Sequence, residues 1–239
     1  MLVMGKKRDL GMPSASRGAG PGRVFILKSA KTTLSVERSQ VHLRGGHMMK
    51  VLAINGSPRK KGNTQLMLNA AKEELEKGGI RVEDISLADY EVRPCDGCDK
   101  CTKKLWECPI KDDALALLKR MASSDGLLIG SPVYWGGVTA QLKALIDRST
   151  ISYQTHAMKG KVGGAVCVGG GAHGGQELTV MQIATYFFMS EMIVAGSEGG
   201  LPGAMALGNA KGDVIEDAEG LKSARYVGKR MAELIRMDR

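Results

Sequence analysis

From Lys50 onward the sequence alternates between short apolar runs and stretches with apolar residues three and four positions apart, and this pattern narrows the folds open to it. KVLAIN (50–55), IRVEDISL (80–87), DGLLIGS (125–131), KVGGAVCVGG (161–170) and EMIVAGS (191–197) read as strands. NTQLMLNAAKEELEKGG (63–79), a segment from about Asp113 to Ser123, VTAQLKALIDRS (138–149), QELTVMQIATYFFMS (176–190) and AEGLKSARYVGKRMAELIR (218–236) read as helices. Five strands alternating with five helices predict an α/β fold, a parallel sheet covered on both faces. Ligands in such a fold bind beyond the carboxyl ends of the strands, so the loops there are where function is sought.

The first such loop is Asn55-Gly-Ser-Pro-Arg-Lys-Lys-Gly-Asn-Thr64. Backbone N–H groups and the positive end of the following helix suit an anion, with Ser57, Asn63 and Thr64 as donors and Arg59 as a charge. A nucleotide P-loop is excluded, because five residues rather than four separate Gly56 and Gly62 and Asn-Thr follows. The dinucleotide fingerprint G-x-G-x-x-G is absent as well. The plainer reading is a strand-to-helix turn with polar caps. The second loop, Ser131-Pro-Val-Tyr-Trp-Gly-Gly-Val138, is apolar and aromatic and suits a flat heteroaromatic ring, unless Tyr134 and Trp135 simply pack under neighbouring loops. The third, Gly169-Gly-Gly-Ala-His-Gly-Gly175, permits close backbone contact with a ligand or forms a mobile lid. His173 is either a donor to a ring carbonyl or an ordinary solvated histidine.

Four of the five cysteines crowd into CDGCDKCTKKLWECP (95–109), as C-x2-C-x2-C-x6-C-P. Cys95, Cys98, Cys101 and Cys108 are spaced like the bacterial ferredoxin run, which favours a [4Fe-4S] cluster. Zinc usually takes two C-x2-C pairs held apart by a longer loop; it and redox-active thiols remain alternatives. Cys167, inside an apolar strand, reads as core. Asp112-Asp113 reads as an N-cap pair, Lys143 and Asp147 as a surface ion pair, and TYFFMSEMIVAG as a buried helix end running into an edge strand. Gly199 to Asp217 reads as a loop near the active site or at a subunit contact.

The basic balance of the chain comes from its beginning. Residues 1–48 hold nine Lys or Arg against two acidic residues, supplying +7 of the formal +9. The remainder is nearly balanced, which removes the support for a nucleic-acid partner. Residues 1–48 read as a flexible basic leader or as an artefact of start-site choice ahead of Met48-Met49, and residues 49–239 as one domain carrying the cysteine loop 95–108. The leader lacks the apolar core of a secretory signal, and nowhere is there an apolar run long enough for a membrane helix. A cytoplasmic protein without a membrane partner is the expectation.

Taken together, GSPRKKGNT, SPVYWGGVTAQLKALIDR and GGGAHGGQE resemble the loops of the flavodoxin-like NADPH-dependent FMN reductase superfamily. The cysteine loop is similar to that of its iron-sulfur flavoprotein branch. The resemblance covers residues 49 to about 235; the leader departs from it. It implies a flavodoxin-like, doubly wound, five-stranded parallel sheet of order 2-1-3-4-5 with a cysteine-rich loop inserted. It also implies FMN, with Ser57, Arg59, Asn63 and Thr64 at the phosphate. Ser131, Pro132, Val133, Tyr134, Trp135 and Gly136 would flank the isoalloxazine ring, and Gly170, Gly171 and His173 would close on its polar edge. A flavin beside a [4Fe-4S] cluster couples one-electron to two-electron transfer, so no side chain is expected as general acid or base. The resemblance further implies a ferredoxin-like donor, an oxygen, peroxide or quinone acceptor, and a homodimer or homotetramer. An NAD(P)H-dependent FMN or quinone reductase without a cluster and a non-enzymatic flavodoxin-like carrier are the alternatives.

Overall fold

The computed structural model describes residues 48–237, and within them each of the five expected strands forms. They are β1 (Lys50–Asn55), β2 (Arg81–Ser86), β3 (Gly126–Pro132), β4 (Val162–Gly169) and β5 (Ile193–Ala195), all parallel, in the order β2-β1-β3-β4-β5. The principal helices are α1 (Asn63–Lys77), α3 (Ala114–Ala122), α4 (Ala140–Arg148), α6 (Gln176–Met189) and α7 (Ala218–Met237). Two short helices are additional: α2 (Lys100–Lys103) in the cysteine loop and α5 (Thr150–Gln154) after α4.

Alternation along the strands divides the core in two. Val51 and Ala53 of β1 pack with Leu128, Val162 and Val166 under Met67, Leu68 and Leu75 of α1 and Val227 and Met231 of α7. Leu52 and Ile54 face the other way, with Leu127 and Ile129, beneath Leu117, Leu142, Leu145, Ile183 and Phe187 of the remaining helices. Each fully buried Leu, Ile or Phe contributes about 1.5–3 kcal/mol, so both helical layers are held by burial rather than by helix propensity. β4 is approached on both faces at adjacent glycines. A Cβ on Gly163 would lie 2.7 Å from the Phe187 ring, and one on Gly164 2.4 Å from Met231 Sδ. Cys167 is fully buried, as the sequence suggests; burial pushes its thiol far above the ordinary range, and it donates to Gln176 O at 3.4 Å.

A sixth strand, β6 (Ala204–Leu207), modifies the expected five. β5 pairs with Val162–Gly164 at the start of β4, and β6 with Val166–Gly169 at its end, so two short strands share one sheet position. Residues 196–203 loop out between them. AMAL is short and set among glycines, so its period carried no signal. The helix expected over 138–149 starts later because Thr139 is its extended N-cap. TYFFMSEMIVAG is only partly buried: Phe187 is in the core, whereas Phe188 and Met189 are about two-thirds exposed. Lys143 and Asp147 do pair on the surface of α4, at 2.6 Å. No helix among the described residues is long and apolar enough to cross a membrane. The leader reading falls on residues of which 1–47 lie outside those described.

Candidate functional site

At the carboxyl end of β1 the chain is folded tightly by its own side chains. Asn55 Oδ1 accepts the Ser57 N–H at 2.9 Å, Ser57 Oγ accepts the Arg59 N–H at 3.0 Å, and Asn55 Nδ2 donates to Gln65 Oε1 at 2.9 Å. α1 then begins at Gly62, which has no side chain to cap the helix. The N–H groups of Gln65 and Leu66 both turn to Gly62 O, at 3.0 and 3.3 Å. Among the described residues, those of Asn63 and Thr64 have no backbone acceptor. Two free amides at the positive end of a 15-residue helix, with Arg59 alongside, form a cradle for a multiply charged anion.

The cradle is the floor of a cleft of about 150 Å³. Of the residues expected at the ligand, Ser57, Arg59, Asn63, Thr64, Pro132, Val133, Tyr134 and Gly170 line it. Ser131, Trp135, Gly136, Gly171 and His173 do not. Ser131 lies behind the wall, fully buried; its Oγ accepts the Thr139 N–H at 3.2 Å and donates to Pro132 O at 2.8 Å. Asn63 lines the cleft but its amide is occupied: Nδ2 donates to Ala210 O and Oδ1 accepts the Gly212 N–H, each at 2.7 Å. It thus ties the anion loop to the segment after β6. Gly208 and Asn209 of that segment complete the cleft, so within the barely patterned region 199–217 it is the turn after β6 that reaches the cleft. Asp213 Oδ2 shapes it by accepting the N–H groups of Asn209 and Ala210, at 3.1 and 2.6 Å.

Thr139 joins the first two loops. Its fully buried hydroxyl donates to Gly56 O at 2.6 Å and accepts the Leu142 N–H at 3.3 Å, capping α4. A threonine just before an apolar-periodic helix signals an N-cap, but nothing in sequence pairs it with Gly56. Beyond it the second loop closes as a two-residue turn, with Tyr134 N–H to Gly137 O at 2.9 Å and Gly137 N–H to Tyr134 O at 3.1 Å. Trp135 and Gly136 both have positive φ, 52° and 75°, which suits glycine but costs a bulky residue. Neither aromatic is packed away: Tyr134 is 46% exposed and Trp135 stands fully in solvent, correcting the packing alternative. The third loop rests on Gln176, whose Nε2 donates to Gly171 O at 2.8 Å and whose buried Oε1 has no donor. His173 is exposed, at φ 56°.

The cysteine loop is built differently. Cys95 and Cys98 are exposed, Cys101 and Cys108 partly so. Burial raises the Cys101 thiol above its ordinary range. Among the described residues no three Cys, His, Asp or Glu side chains are grouped to hold a single metal ion. Four soft thiols spread around one loop suit a cubane, whose four irons each take one thiolate. The loop is held by a buried ion pair that the sequence did not reveal. Arg148, at the end of α4, bonds Asp112 twice, Nη1 to Oδ2 at 2.7 Å and Nη2 to Oδ1 at 3.0 Å. It also donates to Arg93 O at 3.0 Å and to Cys108 Sγ at 3.3 Å. Asp112 further accepts the N–H groups of Arg93 and Ala114, at 2.9 and 3.1 Å. The two side chains are 2% and 0% exposed. Burial alone would push the Asp112 carboxyl up; the Arg148 bonds and the two N–H groups outweigh it and hold it below the usual range. Asp112 therefore does bond the start of α3, as a cap would, but its larger role is to clamp the loop.

An anion cradle at the head of α1, walled by loops from β3, β4 and β6 of a sheet ordered 2-1-3-4-5, defines a flavodoxin-like α/β protein. The fold is shared with a WrbA-like flavodoxin from Agrobacterium tumefaciens (18% identical, TM-score 0.55, covering 81% of this chain and 100% of that one). It is shared too with an NAD(P)H:quinone oxidoreductase from Methanothermobacter marburgensis (17% identical, TM-score 0.57, 77% and 96% covered). Residues 49–205 match the model of the NADPH-dependent FMN reductase family. An iron-sulfur flavoprotein of Methanocaldococcus jannaschii is 46% identical over 191 residues, 79% of this chain and 98% of that protein. One of Methanosarcina thermophila is 34% identical over 190 residues, 79% and 96% of the two chains. The chain belongs to the NADPH-dependent FMN reductase family, in its iron-sulfur flavoprotein branch.

Proposed function

We propose that this protein is an FMN-dependent oxidoreductase in which a [4Fe-4S] centre on the cysteine loop exchanges single electrons with the flavin. The observation that carries the reading is the placement of α4. Its N-cap, Thr139, braces the flavin loops, and its last residue, Arg148, clamps the cysteine loop. Nine helical residues span roughly 13 Å, so one rigid element ties the two sites together.

When bound, the flavin stores one or two electrons and the cluster passes one at a time, which links a one-electron donor to a two-electron acceptor. The chain's own residues bind and orient. The backbone N–H groups of Asn63 and Thr64 with Arg59 would hold the phosphate, Pro132, Val133 and Tyr134 would flank the ring, and Cys95, Cys98, Cys101 and Cys108 would hold the cluster. Gly171 and His173 sit on the third loop, outside the cleft wall. A ferredoxin-like protein suits the one-electron side, and oxygen, peroxide or a quinone the other. The exposed Leu178, Met181, Phe188 and Met189 of α6 supply an apolar face for a homodimer or homotetramer.

Anaerobically purified protein should contain about four iron and four acid-labile sulfide per FMN and, once reduced, give the EPR signal of a cubane. Zinc in place of iron, or FMN alone, would move the assignment to an NAD(P)H-dependent flavin reductase without a cluster.

A further inference from the structure

The clamp on the cysteine loop does more than its mechanical task needs. Arg148 sits at the end of α4 with all four of its Nη hydrogens directed: Nη1 toward Arg93 O and Asp112 Oδ2, Nη2 toward Asp112 Oδ1 and Cys108 Sγ. Three of these bonds fasten the loop. The fourth places a buried positive charge and a donor on a sulfur that the function proposed above assigns to the cluster, and this inference rests on that assignment. We infer that Arg148 is a positioning residue that sets the reduction potential of the centre held by Cys108, with Asp112 fixing the guanidinium in place.

Reduction adds one electron to a cluster whose thiolates already carry negative charge, so a donor aimed at one sulfur stabilises the reduced form and raises the potential; hydrogen bonds to sulfur are among the terms that set cluster potentials. The donor end of the bond is sheltered, because the Arg148 side chain is 2% exposed, while Cys108 is partly exposed. The geometry requires arginine. Only a planar fork reaches two carboxylate oxygens, a carbonyl and a sulfur at once, and a lysine ammonium has neither the shape nor the donors. Asp112 opposes the effect electrostatically while serving it geometrically, so the two side chains should act on the potential with opposite sign.

The test is a mediated dithionite titration of the holoprotein, following the cluster by EPR and the FMN by visible absorption, in wild type, Arg148→Lys and Asp112→Asn. Arg148→Lys should keep its FMN and lower the cluster potential by about tenfold in the reduction equilibrium, which is 59 mV for a one-electron couple. Asp112→Asn, which removes the opposing charge while one side-chain oxygen still accepts from Arg148, should raise it. The FMN potential should stay where it is in both. Opposite signs would support the inference, since simple loosening of the loop moves both variants the same way. Unchanged potentials with iron in place, shifts in one direction, or loss of iron from both variants would overturn it and leave Arg148 as a clamp alone. If only Arg148→Lys loses iron, the upward shift in Asp112→Asn decides the matter. A wild-type protein with FMN but no reducible cluster would sink the proposed function itself, a result separate from any change among the variants.

Discussion

The cleft at the head of α1 and the cysteine loop are fastened to the same helix by different means. Around the cleft the braces are many and, apart from the Asp213 carboxylate that accepts the Asn209 and Ala210 N–H groups, neutral: Asn55, Ser57, Asn63, Ser131, Thr139 and Gln182 each bond backbone or side chain of a neighbouring turn. Around the cysteines a single buried ion pair gathers Arg93, Cys108, Asp112 and Ala114, and the thiols stand largely outside it. The first arrangement forms a site before its ligand arrives; the second holds the base of a loop and leaves its tip for the ligand to organise. Preformed donors suit a phosphate, whose binding repays no folding, whereas thiolates commonly gain their final arrangement from the metal they bind.

The largest effect should come from Cys98→Ser. It should abolish the cluster and leave FMN bound, because Cys98 is exposed and does not line the cleft, and an oxygen ligand holds iron of a cubane poorly. Reduction by a one-electron protein donor should collapse while direct two-electron reduction of the flavin survives. Retention of iron, or an equal fall in both rates, would erase the division between the two regions.

Thr139→Val attacks the other side. It removes the donor to Gly56 O and the cap of α4, both fully buried, at a cost of about 1–3 kcal/mol. Urea unfolding should show that loss, and FMN titration a weaker Kd, while iron content stays near wild type. A variant that lost iron before FMN would mean that α4 serves the cluster first.

The contrast between neutral and charged bracing should also appear with acid. The Asp112 carboxyl is depressed in the fold, so its contribution is complete above the ordinary carboxylate pKa and is lost as pH falls through the lower folded value. In apoprotein, hydrogen exchange at the Arg93 and Ala114 amides should therefore quicken as pH drops below about 3.9. The Gly56 amide, bonded to Gly130 O at 2.7 Å, should keep its protection over that range.

The smallest effect is expected at the turn. Trp135→Asn relieves a bulky residue at positive φ and should raise stability by about 1 kcal/mol or less. If Trp135 covers bound flavin, the same variant should retain less FMN. Unchanged retention would leave the tryptophan a role outside the flavin site.

How much of this was legible in sequence follows from range. The strands, the principal helices and their order rest on local period, and the GSPRKKGNT turn and the cysteine spacing are local as well. What stayed hidden depends on partners far apart in the chain. Asp112 looked like an N-cap because its neighbours permit that reading, and only the fold brings Arg148, 36 residues on, against it. Asn63 reads in sequence as a phosphate donor, and nothing local announces that its side chain bonds Ala210, 147 residues away. Asn209 carried no signal, since β6 itself was too short to announce the loop that follows it.

The doubled position beside β4 has a consequence for how copies of this protein can meet. An open sheet invites further strands along any long, regular margin. Here one margin is broken into β5, three residues, and β6, four residues, with an eight-residue excursion between them. The opposite margin, β2, is the charged RVEDIS, with Glu83 and Asp84 engaged by Arg120 and Lys72. Among the described residues neither margin offers a template for strand addition, so a contact between copies of this chain would fall on the helical faces and loops rather than on a shared sheet.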